Sequence, residues 1–373
     1  MDVRFVDSAP REMASRLHGR PFDHWRYREL LPLPFDARLP PLSVGWTPIH
    51  EAPRLATWLG VRRAVVQDDG RNPSGSLKDR ASSVGVALAV AAGSERIVCA
   101  STGNAASSTA CMAASMGLPA TIFVPKRAPD PKIAQLRVFG AQVFRVDADY
   151  DRTWELCAEV ASTRPWFNRN CAVNPYLVEG KKTVALELAE RLGEDMPDWV
   201  AVSVGDGCTV AGVVKGLEQA CEAGLIAKIP QVLAVQADGA SPLVRAFHEG
   251  VEPVVPSVST VADSLAVGHP RNAKKALDSV RRVNGTYVAV SDDEILDALR
   301  ESAERTGVFA EPAGATAAAG VRRAVQDGVL GPSASVAVIV TGNGLKDPQT
   351  ALSAVTGPID VRPNVASVLA ALD

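Results

Sequence analysis

Short unbroken runs of Val, Ile, Leu and Ala alternate along the chain with longer segments whose apolar positions are interrupted by Ser, Asp, Glu and Lys. Unbroken runs of this length read as strands buried on both faces, and the mixed segments closed by glycine read as helices. The pattern predicts strands at 61–66, 97–100, 120–124 and 141–146. Helices fall between and after them: 76–92 closed by Gly93, 105–116 closed by Gly117, one begun by Pro131, and 151–161. Four apolar strands interleaved with helices imply a parallel sheet covered on both faces, of a size suited to a smaller lobe. From Asn174 the rhythm repeats, with a helix at 179–192, a strand at 200–204, a helix to about 223 and a strand at 232–236. Ser291-Asp292-Asp293-Glu294 is a capping box opening a helix that Gly307 ends, Glu311-Pro312-Ala313-Gly314 opens another, and 336–340 is a last apolar strand. The fold class is therefore α/β with two doubly wound parallel-sheet lobes.

Ahead of the lobes, residues 1–45 form an arm punctuated by prolines at 10, 21, 32, 34, 40 and 41. It holds one helical piece at 25–31, stopped by Pro32. Such an arm is expected to wrap the body or a second subunit, with Trp25 and Tyr27 as apolar anchors, and a homodimer is expected. The domain division expected is 1–45 as the arm, 46–90 with 174–373 as the large cofactor-binding domain, and 91–173 as the small domain that closes on substrate.

Composition narrows the partners. With 373 residues, 47% hydrophobic and 22% charged, the chain is longer than one core usually grows. A net charge of −3 offers no basic stripe for nucleic acid and no polybasic segment for a membrane, which leaves a small molecule as the expected partner. No apolar run approaches the ~20 residues of a membrane span and no signal-like stretch opens the chain, so a cytoplasmic protein is expected. The six cysteines, at 99, 111, 157, 171, 208 and 221, never occur as Cys-x-x-Cys and suggest neither a disulfide framework nor a metal site. Core thiols are expected, and Cys208 alone falls in a candidate site loop, where its backbone is expected to matter more than its sulfur.

The candidate chemistry centres on Asn72-Pro73-Ser74-Gly75-Ser76-Leu77-Lys78-Asp79-Arg80, a turn running into a helix with an ammonium on the first turn. A helix N-terminus disfavours a cation, so Lys78 should be pushed toward the neutral amine that a Schiff-base lysine needs. Ser74 or Ser76 is available as a cap, and a solvated surface lysine is the plain alternative. In doubly wound sheets ligands sit beyond the carboxyl ends of strands, which directs attention to three more loops. Ser101-Thr102-Gly103-Asn104 offers donors suited to a carboxylate at a helix N-terminus, or simply a cap. Gly205-Asp206-Gly207-Cys208-Thr209 follows a strand and precedes a helix, so its backbone N–H groups suit a phosphate. A dinucleotide is the rival ligand there, but the glycine spacing is incomplete and Gln236 stands where a ribose-binding acid is wanted. Asp206 is awkward beside any phosphate unless its side chain turns outward. Thr341 ends a buried strand with its hydroxyl toward the cleft, and Asn343 adds an amide. An aldehyde, an anion and a ring nitrogen, each met by a different loop, describe pyridoxal phosphate.

The four ordered motifs 72–80, 101–104, 311–314 and 341–347 together resemble the fold-type II pyridoxal phosphate enzymes, of which threonine synthase is the nearest branch, over about 47–347. The resemblance implies that Lys78 carries the Schiff base and moves the Cα proton, that Asn104 meets the pyridine 3-oxygen, and that Ser101, Thr102 and Gly103 hold the substrate carboxylate. It also implies that Gly205, Asp206, Gly207, Cys208 and Thr209 hold the cofactor phosphate and that Thr341 faces the pyridine nitrogen. A hydroxyl there need not keep the nitrogen protonated, which suits elimination or replacement more than transamination. Where many threonine synthases have Asn-Ser-Val-Asn-Pro-x-Arg, this chain has Cys171-Ala172-Val173-Asn174-Pro175-Tyr176-Leu177, losing three groups associated with the substrate phosphate. Each lost hydrogen bond to a charged group is worth about 1.5–3 kcal/mol. The distal pocket is therefore expected to be less polar and less cationic, with Lys181 and Lys182 either compensating or lying on a solvated helix face. The expected activity is elimination or replacement at the β carbon of a small amino acid such as serine, threonine or O-activated serine. Threonine synthesis from O-phosphohomoserine, a nicotinamide dehydrogenase, and a non-catalytic ligand-binding protein on the same fold are the alternatives.

Overall fold

The computed structural model describes residues 2–3, 13–128, 130–171 and 173–372. Among these residues ten strands build two sheets: β1 Ile49–Glu51, β2 Arg63–Asp68, β3 Arg96–Ala100, β4 Ala120–Pro125, β5 Gln142–Val146, β6 Trp166–Asn168, β7 Trp199–Ser203, β8 Gln231–Ala237, β9 Thr286–Val290 and β10 Ser335–Val340. The larger sheet has the order β1-β2-β10-β7-β8-β9 and the smaller β5-β4-β3-β6. Every pairing is parallel except β1 on β2. Central strands such as β10 are buried at every position, as expected for a sheet covered on both faces.

The strand expected at 61–66 is present as β2 in the larger sheet, with Val66 opposite Val338 of β10, so it groups with 174–373 rather than with the run of strands that follows it. The fourth strand of the smaller sheet is instead β6, three residues whose Phe167 pairs with Ile97. A run as short as Trp166–Asn168 carries no apolar periodicity, and the pattern of a strand does not say which sheet receives it. The helix expected at 179–192 is two pieces, Tyr176–Lys181 and Thr183–Leu192. Helices Pro242–Glu249 and Ala273–Arg282 and strand β9 fill a stretch where the pattern predicted nothing, the second helix being rich in Lys and Arg. The capping box is present: the Ser291 N–H donates to Glu294 Oε2 at 2.8 Å, the Glu294 N–H donates back to Ser291 Oγ at 3.3 Å, and Gly307 ends the helix at φ 75°.

The arm lies on the body of its own chain. Tyr27 is fully buried and its hydroxyl donates to Glu190 at 2.5 Å, while Arg26 pairs with the same carboxylate at 2.6 Å. Trp25 is only partly buried, so Tyr27 rather than Trp25 is the anchor. Of the arm's prolines, Pro10 lies outside the described residues. No described helix is long and apolar enough to cross a membrane, and no group of three metal-ligating side chains occurs among the described residues.

Candidate active site

The carboxyl ends of β2, β3, β7 and β10 open on one cavity of about 800 Å³. Beyond β2 the chain turns at Asn72–Gly75, where the Gly75 N–H donates to the Asn72 carbonyl at 2.8 Å and Gly75 takes φ 84°. The Leu77 N–H then donates to the Thr341 carbonyl at 2.9 Å, joining this turn to the end of β10. Lys78 is the first residue of helix Lys78–Ala91 and lines the cavity. Enclosure and the neighbouring Lys181 bring its amine down to about 8, with Cys171 and Glu311 opposing. The direction matches the expectation, but it comes from desolvation and a second cation rather than from the helix dipole. Neither serine caps this helix: the Ser74 N–H and hydroxyl both donate to Asp79, each at 2.6 Å, and the buried Ser76 hydroxyl has no partner.

Beyond β3, Ser101, Thr102 and Gly103 are half-buried and line the cavity. The loop is no simple cap, since helix Asn104–Met116 begins without a side-chain cap and Ser101 Oγ accepts from the Gly103 N–H at 3.2 Å. Asn104 is buried, and its amide donates to Glu311 Oε1 at 2.6 Å. Burial pushes the Glu311 carboxyl up, while Lys346, Lys78 and Asn104 pull it down.

Beyond β7, the expected loop is divided. Gly205, Asp206 and Gly207 form the turn, while Cys208 and Thr209 are the first residues of helix Cys208–Glu222. Asp206 Oδ1 accepts the Arg271 N–H at 2.7 Å, which ties the 271 segment to the cavity wall. Burial raises this carboxyl to about 6. Gly207 takes φ 87°, and a Cβ there would stand 2.7 Å from Ala276 Cβ. Packing against the 273–282 helix is thus a second reason for glycine, besides approach to an anion. Gly207→Val is expected to lower both cofactor retention on dialysis and the urea midpoint, because a β-branched residue is strained at positive φ; retention and midpoint both unchanged would contradict this.

Thr341 is buried directly after β10, with Oγ1 3.4 Å from Ser203 Oγ at the end of β7. Asn343 is absent from the cavity lining: it accepts from the Leu345 N–H at 3.0 Å and donates to the Gly70 carbonyl at 3.5 Å. Leu177 is fully buried against Gly85 and does not line the cavity either. Ala172 lies outside the described residues.

Nor is the pocket depleted of cations. Lys181 and Arg169 are 2% and 1% exposed, line the cavity and donate to Cys171 Sγ at 3.3 and 3.2 Å. Lys182 is buried too, but away from the cavity, paired with Glu179 at 2.6 Å. A solvated helix face is therefore wrong for both lysines. Cys208 is buried and lines the cavity. Arg169, Cys171, Ser203 and Glu311 are the site residues that sequence reasoning left without a role. The Arg169 N–H donates to the Val98 carbonyl just beyond β6, so recognising that short strand was the signal that would have found it.

The site's donors fit pyridoxal phosphate: an enclosed amine depressed toward neutrality, a helix N-terminus behind a glycine turn, and a buried hydroxyl at a strand end. A family model described as pyridoxal-phosphate dependent enzyme matches residues 41–342. The threonine synthase of Methanocaldococcus jannaschii is 34% identical over 349 residues, 93% of this chain and 86% of that protein. That of Mycobacterium tuberculosis is 36% identical over 340 residues, 90% of this chain and 92% of that protein. Among solved structures, maize serine racemase superimposes with a TM-score of 0.70 at 24% identity over 82% of this chain and 91% of that one. The processed threonine deaminase isoform 2 of Solanum lycopersicum gives 0.69 at 22% over 79% and 78%.

Proposed function

The chain belongs to the pyridoxal-phosphate dependent enzyme family, and on that premise we propose that it catalyses elimination or replacement at the β carbon of a small amino acid. The observation that carries the reading is Lys78, an enclosed amine brought to about 8 at the point where four strand-end loops meet. Bound pyridoxal phosphate supplies an electron sink for the pair released at Cα. Lys78 carries the cofactor and moves the Cα proton. Gly205, Asp206, Gly207, Cys208 and Thr209 hold the cofactor phosphate through backbone N–H groups, and Ser101, Thr102 and Gly103 take the substrate carboxylate. Glu311 holds the Asn104 amide, and so orients it toward the ring oxygen. Thr341 faces the ring nitrogen with a hydroxyl. Thr341→Asp would favour protonation of that nitrogen and is expected to slow turnover while the lysine-bound chromophore still forms; unchanged kinetics would remove Thr341 from the ring.

A second reading, threonine synthesis from O-phosphohomoserine, is favoured by one observation: Arg169 and Lys181 line the cavity beside Cys171 and put positive charge there. The two are separated by turnover of L-serine, L-threonine, O-acetylserine, O-phosphoserine and O-phosphohomoserine. The β-substituted substrates are expected to give the higher kcat/KM. Threonine formed from O-phosphohomoserine with greater efficiency than any of them would overturn the first reading.

The division of labour proposed is cofactor binding by 46–90 with 174–373 and closure on substrate by 91–173, which the two separate sheets support. The protein is proposed to act in the cytoplasm as a homodimer. Exposed apolar residues in the last turns of the chain, Leu352, Ile359, Val365 and Leu369, offer area for a second copy to cover.

A further inference from the structure

The motif at 341–347 delivers Thr341 to the cavity, while its Lys346 is absent from that cavity's wall and reaches into the seam between the two lobes. An ammonium has three N–H donors and no acceptor. Those of Lys346 meet three acceptors on three separate elements: the Ser74 carbonyl at 2.8 Å, Ser107 Oγ at 3.1 Å and Gln135 Oε1 at 3.4 Å. Ser74 belongs to the turn that delivers Lys78, Ser107 to the first turn of helix Asn104–Met116, and Gln135 to helix Asp130–Val138. The first acceptor lies beyond β2 of the larger sheet, and the other two follow β3 and β4 of the smaller. One side chain thus joins both lobes.

The base of this side chain is fixed to the Lys78 turn. The Leu77 N–H donates to the Thr341 carbonyl at 2.9 Å, the Asn343 N–H donates to the Gly75 carbonyl at 3.0 Å, and a Cβ on Gly75 would touch Lys346 Cδ at 3.4 Å. On the far side Ser107 is buried, and its hydroxyl carries the link on to the Asn104 carbonyl at 3.4 Å. Packing by itself holds the seam weakly. Helix Asn104–Met116 is built largely of Ala and Ser, and the helix Lys78–Ala91 that it packs on is rich in Ala, Ser, Gly and Val. Small side chains make shallow ridges with little to resist sliding along the contact. A chamber of about 30 Å³, lined by Gly103, Asn104, Ser107, Glu311 and Lys346 among others, interrupts the packing further. Directional, charge-assisted hydrogen bonds are what remain to set the register.

We infer that Lys346 is a positioning residue for the reaction: its ammonium fixes the start of helix Asn104–Met116, and with it the loop 101–103, at a set distance from the turn that carries Lys78. The inference rests on the proposed role of Ser101, Thr102 and Gly103 as the carboxylate site. A substrate gripped at its amino end near Lys78 and at its carboxylate by 101–103 needs the two anchors at the spacing of its own atoms, and an error of about 1 Å spoils that grip. The carboxylate is common to every amino-acid substrate, so loss of the anchor acts on all of them alike. Neither Met nor Arg replaces this lysine, since Met has no donor and Arg carries its donors in a flat fork.

The test combines hydrogen exchange and steady-state kinetics on the holoenzyme. The Ala106 and Ser107 amides both bond the Gly103 carbonyl, at 3.0 and 3.2 Å, and report on the start of the helix. In Lys346→Met their exchange is expected to quicken by about tenfold, with the amides of β10 and the lysine-bound chromophore unchanged. KM is expected to rise about tenfold, by the same factor for L-serine, L-threonine and O-acetylserine and with a smaller change in kcat, as when one hydrogen bond to a charged group slips out of reach. Ser107→Ala is expected to produce the same changes on a smaller scale. The double variant is expected to be no worse than Lys346→Met, because both substitutions break one link. Wild-type exchange at 106–107 in either single variant, or effects of the two substitutions that simply add, would overturn the inference. Faster exchange with an unaltered KM would refute the carboxylate role of 101–103 and leave the anchor standing.

Discussion

Lys78→Met is expected to abolish the lysine-bound chromophore and to lower kcat/KM by at least about 10²–10⁴-fold, the range associated with loss of a positioned proton-transfer group. In the wild-type protein, borohydride should fix the cofactor on the peptide that contains Lys78. The pH dependence is a separate check. An amine at about 8 is half neutral at that pH, while an unperturbed lysine reaches the same point only near about 10.4. Imine formation between apoprotein and pyridoxal phosphate should therefore rise with pH to a midpoint near 8 and change little above it. A midpoint at the free-lysine value, or a Lys78→Met protein that keeps the chromophore, would refute the assignment.

The second large effect falls on Arg80, two residues further along the same helix. Its guanidinium is fully buried between Asp69, at 2.7 and 2.8 Å, and Glu187, at 2.5 and 2.7 Å, with Thr183 Oγ1 at 3.0 Å. Burial and the neighbouring Asp69 carboxylate raise the Glu187 carboxyl, and Arg80 opposes that rise. Arg80→Met leaves two buried carboxylates facing each other, and breaking a buried pair from one side costs about 3–5 kcal/mol. The expected result is a urea midpoint well below wild type at pH 7, with part of the loss recovered in the triple variant Arg80→Met, Asp69→Asn, Glu187→Gln, which removes the stranded charges. A wild-type midpoint in the single variant would mean the network carries no net stability. Gly180 packs so tightly on this turn that a Cβ there would stand 2.0 Å from the Arg80 carbonyl oxygen.

The sequence by itself determined the alternation of strand and helix, the α/β class, the capping box at Ser291, the glycine turn that delivers Lys78, and the loops at the ends of β3, β7 and β10 that meet it. Those features depend on residues close together in the chain, through turn chemistry, capping and apolar runs, and such signals survive without knowledge of the rest of the molecule. Tertiary structure alone decided that Leu177 turns into the core against Gly85 while Cys171 faces the cavity, and that Lys181 points inward. It also decided that Asn104 meets Glu311, a partner 207 residues away, and that Arg169 and Lys181 share one sulfur. The physical reason is that a side chain's charge state and partners follow from what packs around it. A Lys-Lys pair on a helix reads as solvated until a neighbouring helix and a short strand cover that face, and only then does the cost of burying each ammonium demand an anion beside it.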